Sequence, residues 1–137
     1  MADFQLKIVS PDGVFFDGEA RQLSLRSIDG DVAVLAGHIP YLTAVGIGEC
    51  RVYIGDDEPK RAACCGGLLN VTKDGVFLAP TTFEWAEDID LERAQAAKQK
   101  AEDRIANPKS SAALKLAQIK LQRAELRISI AGKLNKQ

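Results

Sequence analysis

The sequence predicts an all-β sandwich of eight to ten short strands followed by an α-helical hairpin, two domains in the order β then α, divided near residue 85. Two observations carry the prediction. From Phe4 to about Phe83 apolar residues recur at period two or in short β-branched runs, interrupted roughly every eight to twelve residues by Gly, Pro and Asp. Beyond Phe83 glycine nearly vanishes, alanine crowds in, and the apolar spacing changes to three and four, the period of a helix.

In chain order, Phe4, Leu6 and Ile8 alternate as one strand, and Ser10-Pro11-Asp12-Gly13 turns the chain into a second run through Val14-Phe15-Phe16. Leu23 and Leu25 alternate again before a turn at Asp29-Gly30. Val32–Leu35, Val45–Ile47 and Arg51–Ile54 read as further strands. A polar tip at Gly55-Asp56-Asp57-Glu58-Pro59 predicts a hairpin whose return strand runs from Ala62 to Cys65, and Lys73-Asp74-Gly75 centres the last hairpin. Gly37 and Pro40 suit a turn, and Gly66-Gly67 a bulge or a close backbone approach within a strand.

In the second domain, Asp90 is placed to cap a helix whose Ala94, Ala97, Ala101 and Ile105 form one narrow apolar stripe. Asn107-Pro108 ends it, because proline has no backbone N–H and clashes with the preceding turn. Ser110 or Ser111 caps a second helix carrying Leu114, Ala117, Leu121, Ala124, Ile128 and Ala131, with Gly132 expected as its stop. The short link predicts an antiparallel hairpin. Alanines allow close approach of the helices but bury little area, so the hairpin is expected to be marginal alone and to dock or move.

Composition narrows the function classes. Apolar (46%) and charged (27%) fractions are those of an ordinary globular protein, and no basic stretch followed by an apolar run opens the chain. No run approaches the roughly 20 apolar residues of a membrane span, so membrane association is expected only through partners. Cys50, Cys64 and Cys65 lack zinc-like spacing and read as small buried hydrophobes in a reducing compartment. His38, the sole histidine, has no companion nucleophile or metal ligand and reads as a turn residue or subunit contact.

Charge is unevenly distributed. From residue 109 onward Lys109, Lys115, Lys120, Arg123, Arg127, Lys133 and Lys136 face a single acid, Glu125, although the whole chain has net charge −1. A solvated helix face ordinarily mixes signs. The excess therefore points to an anionic partner: nucleic acid, acidic protein or phosphate ligand. The absence of aromatics among the cations argues against nucleic acid.

Ser10-Pro11-Asp12-Gly13, Asp29-Gly30-Asp31, Gly37-His38-Ile39-Pro40 and Gly66-Gly67-Leu68-Leu69-Asn70-Val71 together resemble the N-terminal domain of ATP synthase epsilon subunits of the bacterial type. Ala86-Glu87-Asp88-Ile89-Asp90 and the following Leu91-Glu92-Arg93-Ala94 continue the resemblance over essentially the whole chain. It implies a non-catalytic rotor subunit at the cytoplasmic face of the bacterial cell membrane, coupling proton-driven rotation to ATP synthesis. Residues 1–85 would bind the gamma subunit and the c-ring. Residues 86–137 would switch between a folded state and an extended one that reaches the alpha and beta subunits and restrains ATP hydrolysis. The basic second helix, through Lys115, Lys120, Arg123 and Arg127, would meet an acidic segment of beta.

Some members of that family also bind ATP, through an Ile or Leu followed by Asp-x-x-Arg-Ala and two arginines four apart on the second helix. Here Ile89, Asp90, Arg93 and Ala94 match the first element, Arg123 and Arg127 the second, and Glu84 an acidic residue of the same site. Guanidinium groups suit phosphate oxygens, and Asp90 or Glu84 could accept from the adenine amino group. At Lys100 the best binders carry Arg. The resemblance thus implies ATP as a regulatory ligand, with no cofactor required and, lacking a G-x-x-x-x-G-K-[ST] loop, no hydrolysis. Two alternatives stay open: Asp90 as a helix cap with the arginines contacting beta alone, and a stand-alone nucleotide-binding signalling module.

Overall fold

The computed structural model describes residues 2–135, with side chains through Lys133, and divides after Trp85 into two compact units. Lys136, counted in the basic excess, lies outside the described residues.

The first unit holds ten strands: β1 (Phe4–Ser10), β2 (Gly13–Ala20), β3 (Gln22–Ser27), β4 (Gly30–Leu35), β5 (Tyr41–Ala44), β6 (Ile47–Tyr53), β7 (Lys60–Cys65), β8 (Leu68–Thr72), β9 (Gly75–Ala79) and β10 (Thr82–Trp85). They form two five-stranded sheets, ordered β2-β1-β9-β8-β5 and β10-β7-β6-β3-β4. Neighbours run antiparallel except β1 and β9, which pair in parallel with Leu6 opposite Val76. Alternation decides the core: Leu6, Ile8, Leu69, Val71, Val76 and Leu78 from one sheet meet Leu23, Val34, Cys50, Val52, Cys64 and Phe83 from the other. Phe83 packs edge-on against Trp85, with ring centroids 4.9 Å apart, and Phe15 meets Phe83 in a tilted contact at 5.0 Å.

Three hairpin turns share one chemistry. In Ser10-Pro11-Asp12-Gly13, Ser27-Ile28-Asp29-Gly30 and Thr72-Lys73-Asp74-Gly75 the hydroxyl at the first position accepts from the aspartate N–H two residues on, at 3.0, 3.1 and 3.1 Å. A side chain thereby satisfies a turn donor that no ladder reaches.

Two strand expectations shift. Val45–Ile47 is not a strand of its own: Val45 forms only an isolated bridge to Ser27, and Ile47 opens β6. Between them Gly46 donates its N–H to Arg26 O at 2.9 Å, so this backbone leaves one sheet for the other. The strand lies earlier, at Tyr41–Ala44, where Pro40 had suggested only a turn. Gly66 and Gly67 lie between β7 and β8 rather than inside a strand, and there the close approach is real. Gly67 has φ +95°, and a Cβ on it would sit 2.0 Å from Ala79 O and 2.6 Å from Pro80 Cα.

The second unit opens with a single 3-10 turn, Ala86–Asp88, that the sequence pattern did not mark. Two helices follow, α1 (Leu91–Ala106) and α2 (Ser111–Asn135). Asp90 caps α1, accepting from Arg93 N–H at 3.1 Å, and Ser110 caps α2, accepting from Ala113 N–H at 3.0 Å. The helices pack as a hairpin along the alanine stripes: Ala94 and Ala101 on α1, and Ala117, Ala124 and Ala131 on α2, are all buried. Gly132 does not stop α2. It keeps a helical conformation and the helix continues to Asn135. A glycine ends a helix only where a left-handed turn follows; inside one it merely costs about 1 kcal/mol against alanine.

Candidate functional site

The basic helix carries two apolar faces. At 3.6 residues per turn, Leu114, Ala117, Leu121, Ala124 and Ile128 lie on one side, while Ala112, Leu116, Ile119, Leu126 and Ile130 lie roughly opposite. The first face packs in the hairpin. The second is divided: Ile130 is fully buried, whereas Leu116 and Ile119 are 53% and 40% exposed, with Lys115 and Lys120 exposed beside them.

Arg123 and Arg127 line a recess of about 280 Å³ within the hairpin. Lys100 and Arg104, one turn apart on α1, and Lys120 on α2 complete its charged rim, and Ala97 and Ala101 form its floor. Small floor residues make room and long cationic side chains reach in from both helices. The Arg123 Nε is buried with no hydrogen-bond partner, a donor left without an acceptor. Five cations with no carboxylate among the lining residues suit a phosphate-bearing anion.

The structure places Arg123 and Arg127 on one helix face, as their spacing anticipated, brings Lys100 to them from α1, and adds Arg104, which sequence reading did not single out. Its signal was available, since it lies four residues after Lys100 and therefore on the same helix face. Asp90 is exposed and one of its carboxylate oxygens serves the cap. Arg93 is exposed, Ala94 buried, and Ile89 half-buried, donating its N–H to Ala86 O at 3.3 Å. Glu84 belongs to the sandwich, half-buried on β10 opposite Ala63, which is itself opposite Glu49 on β6. On that same face Glu49 pairs with Arg61 and, at 3.8 Å, with Arg51.

The other sheet presents an apolar outer face. Ala44, Leu68 and Ala79 stand abreast on β5, β8 and β9, and Leu42, Asn70 and Phe77 form the adjacent row. Leu42, Leu68 and Phe77 are 65%, 52% and 45% exposed, and Val14 on β2, opposite Val9, is 61% exposed. A contiguous set of large exposed apolar side chains marks a docking surface more often than chance.

The three cysteines are free and buried. Burial pushes the Cys50 thiol well above its ordinary range, with the neighbouring Cys64 adding to the shift. Burial, followed by the proximity of Cys65, pushes Cys64 up to about 12. Both are protonated packing groups at neutral pH, as their placement on strands suggested. His38 is half-buried after the turn at Gly37, with Nδ1 2.7 Å from Ile39 O. No helix of the described residues is long and apolar enough to cross a membrane.

Fold and site together define a two-module protein, a β-sandwich joined to a cationic helical hairpin. Residues 3–86 match the model of the ATP synthase delta/epsilon chain β-sandwich domain, and residues 87–132 that of its long α-helix domain. The chain belongs to this family of ATP synthase subunits. It is 39% identical to an ATP synthase epsilon chain of Bacillus velezensis over 96% of this chain and 99% of that one, and 34% identical to that of Ruminococcus albus over 97% and 99%. Among solved structures, a chain of the Euglena gracilis mitochondrial ATP synthase shares the fold with a TM-score of 0.79, 21% identity, and coverage of 91% of this chain and 79% of that one.

Proposed function

We propose that this chain is a non-catalytic rotor subunit of the central stalk, held by its sandwich, with the hairpin as a movable brake on ATP hydrolysis that responds to ATP. The observation that carries the reading is the exposed apolar face of Leu42, Leu68 and Phe77 on the sandwich. A sheet face of this kind gains stability when another protein covers it, which suits permanent attachment to the gamma subunit. Exposed Ile28 and Ile39, at two loops of the sandwich, offer further apolar contacts for the c-ring. Attachment through these partners would place the chain peripherally, on the cytoplasmic face of the bacterial cell membrane, in a machine that couples proton flow to ATP synthesis.

The hairpin has the properties of a switch. Its seam is alanine-rich and therefore weakly held, and its second helix carries an additional apolar stripe with Leu116 and Ile119 exposed between lysines. Such a face suits an acidic, partly apolar segment of beta within the alpha–beta head. ATP bound by Arg123, Arg127 and Lys100 would favour the packed hairpin, since a ligand shifts a conformational equilibrium only by binding one state better.

The test compares hydrolysis by the cognate complex carrying either the full chain or residues 1–85, with parallel calorimetric titration of ATP into the full chain and its Arg123→Ala, Arg127→Ala variant. The reading expects faster hydrolysis without the hairpin, and ATP binding that the double variant loses. Equal hydrolysis in the two complexes refutes the brake; undetectable ATP binding refutes the sensor and leaves the arginines as contacts to beta.

A further inference from the structure

We infer that the 3-10 turn Ala86–Asp88 is a strap that closes over Ile130 and withholds the C-terminal end of the second apolar stripe of α2 until the hairpin opens. The inference rests on the movable hairpin proposed above and adds the contact that holds its packed state.

Burial in the second unit is uneven. Among its described residues every buried side chain is an alanine except Ile130, which is fully buried. An alanine methyl removes little area from water, so this isoleucine contributes the largest single share of the packing. It does not belong to the seam between the helices. Ile130 lies on the second face of α2, at helical spacing from Leu116, Ile119 and Leu126, whereas the alanine seam turns the opposite side of α2 toward α1. Its burial therefore requires a different cover.

The path of the chain supplies one. α1 begins at Leu91 and α2 ends at Asn135, so an antiparallel hairpin sets the segment before α1 beside the last turns of α2. The 3-10 turn packs against α2, and its Ala86 is buried. Both ends of this segment are tied. Before it, Trp85 is held edge-on against Phe83, with Lys60 Nζ 4.2 Å from the indole ring centroid. After it, Ile89 N–H reaches Ala86 O at 3.3 Å and Asp90 caps α1. A short segment fixed at both ends covers a side chain at little entropic cost, but it cannot follow α2 when that helix departs.

Opening would therefore uncover Ile130 and extend the stripe begun by the exposed Leu116 and Ile119 toward the end of the helix. A partner that takes the longer stripe binds the opened state better than the packed one, and the strap opposes it by keeping Ile130 covered.

The experiment is amide hydrogen exchange, followed residue by residue by NMR on the full chain and on Ile130→Val, Ile130→Ala and Leu116→Ala variants whose helicity is checked by circular dichroism. Ile130→Val is expected to speed exchange at Ile89 and at residues 127–133 by a common factor of roughly fivefold, and Ile130→Ala by roughly 30-fold or more. Leu116→Ala, on the exposed part of the same stripe, should stay within threefold of the parent. The valine variant keeps the test open if the alanine variant does not fold. Acceleration on α2 with Ile89 unchanged would mean that Ile130 is covered by something else, and overturns the strap; rates equal to the parent in both Ile130 variants overturn it too. Exchange is read on the free chain, so failure of the strap is distinct from failure of the brake, which only hydrolysis by the cognate complex reports.

Discussion

Replacing Leu42 and Leu68 together by asparagine tests the docking face directly. Asparagine is close to leucine in size but removes the apolar surface, and both side chains point away from the core, so the free protein should keep its fold. Fully burying a leucine is worth about 1.5–3 kcal/mol; scaled by the 65% and 52% now exposed, covering the pair yields roughly 2–3.5 kcal/mol. Their loss should weaken association with the cognate gamma subunit by about 30- to 300-fold. Because an asparagine amide covered by the partner without a hydrogen bond adds its own desolvation cost, the lower figure is a floor. The assay is titration of purified gamma with the full chain and the variant, with Asp57→Ala at the exposed β6–β7 tip as a control. Thermal unfolding of each free protein separates a docking defect from a folding defect. A Kd within threefold of the parent, with the fold intact, would refute the assignment of this face to gamma.

Two further outcomes follow from the sandwich interior. Gly67→Ala should destabilise the protein by roughly 3 kcal/mol or more in urea unfolding, because its Cβ would collide with the backbone at Ala79 and Pro80, which has no rotamer to yield, and because its φ of +95° disfavours any L side chain. The Cys64 thiol, whose folded pKa is raised to about 12 from 9.0, holds its proton in the native state where the unfolded chain releases it. Its stabilisation is therefore full below about pH 9 and declines between pH 9 and 12, by roughly 2 kcal/mol at pH 10.5. Urea midpoints measured across that range should fall less steeply in Cys64→Ala; an identical slope would count against the thiol as the source.

Most strands were legible in the sequence because one face of each is buried and the other is not, which writes period two into the residues. Where that contrast failed, so did the reading. Tyr41–Ala44 alternates, but Leu42 on its outer face is as apolar as a core residue, so the segment gave no clean pattern and the strand was placed at Val45–Ile47 instead. The same property hid the docking face. Leu42, Leu68 and Phe77 come from β5, β8 and β9, and only the order of strands in the sheet makes them neighbours. The cationic recess was half visible: Arg123 and Arg127 follow from helical spacing on one element, whereas their meeting with Lys100 and Arg104 depends on how the hairpin packs. Gly132 misled because glycine permits a helix stop without requiring one.

The parallel pairing of β1 with β9 bears on how the chain is made. Leu6 and Ile8 sit opposite Val76 and Leu78, so β1 waits for nearly the last strand of the sandwich before its second edge is covered. Until then β1 has only its hairpin partner β2, and a two-stranded ribbon is barely stable in water. The ribosome therefore releases an N-terminal half that is unable to complete its core, followed by a helical hairpin whose contacts are local and close in microseconds. Sandwich closure carries the loop entropy of the β1–β9 contact, and until β9 arrives the Leu6–Ile8 edge is left unpaired on that side, the kind of open edge that invites aggregation.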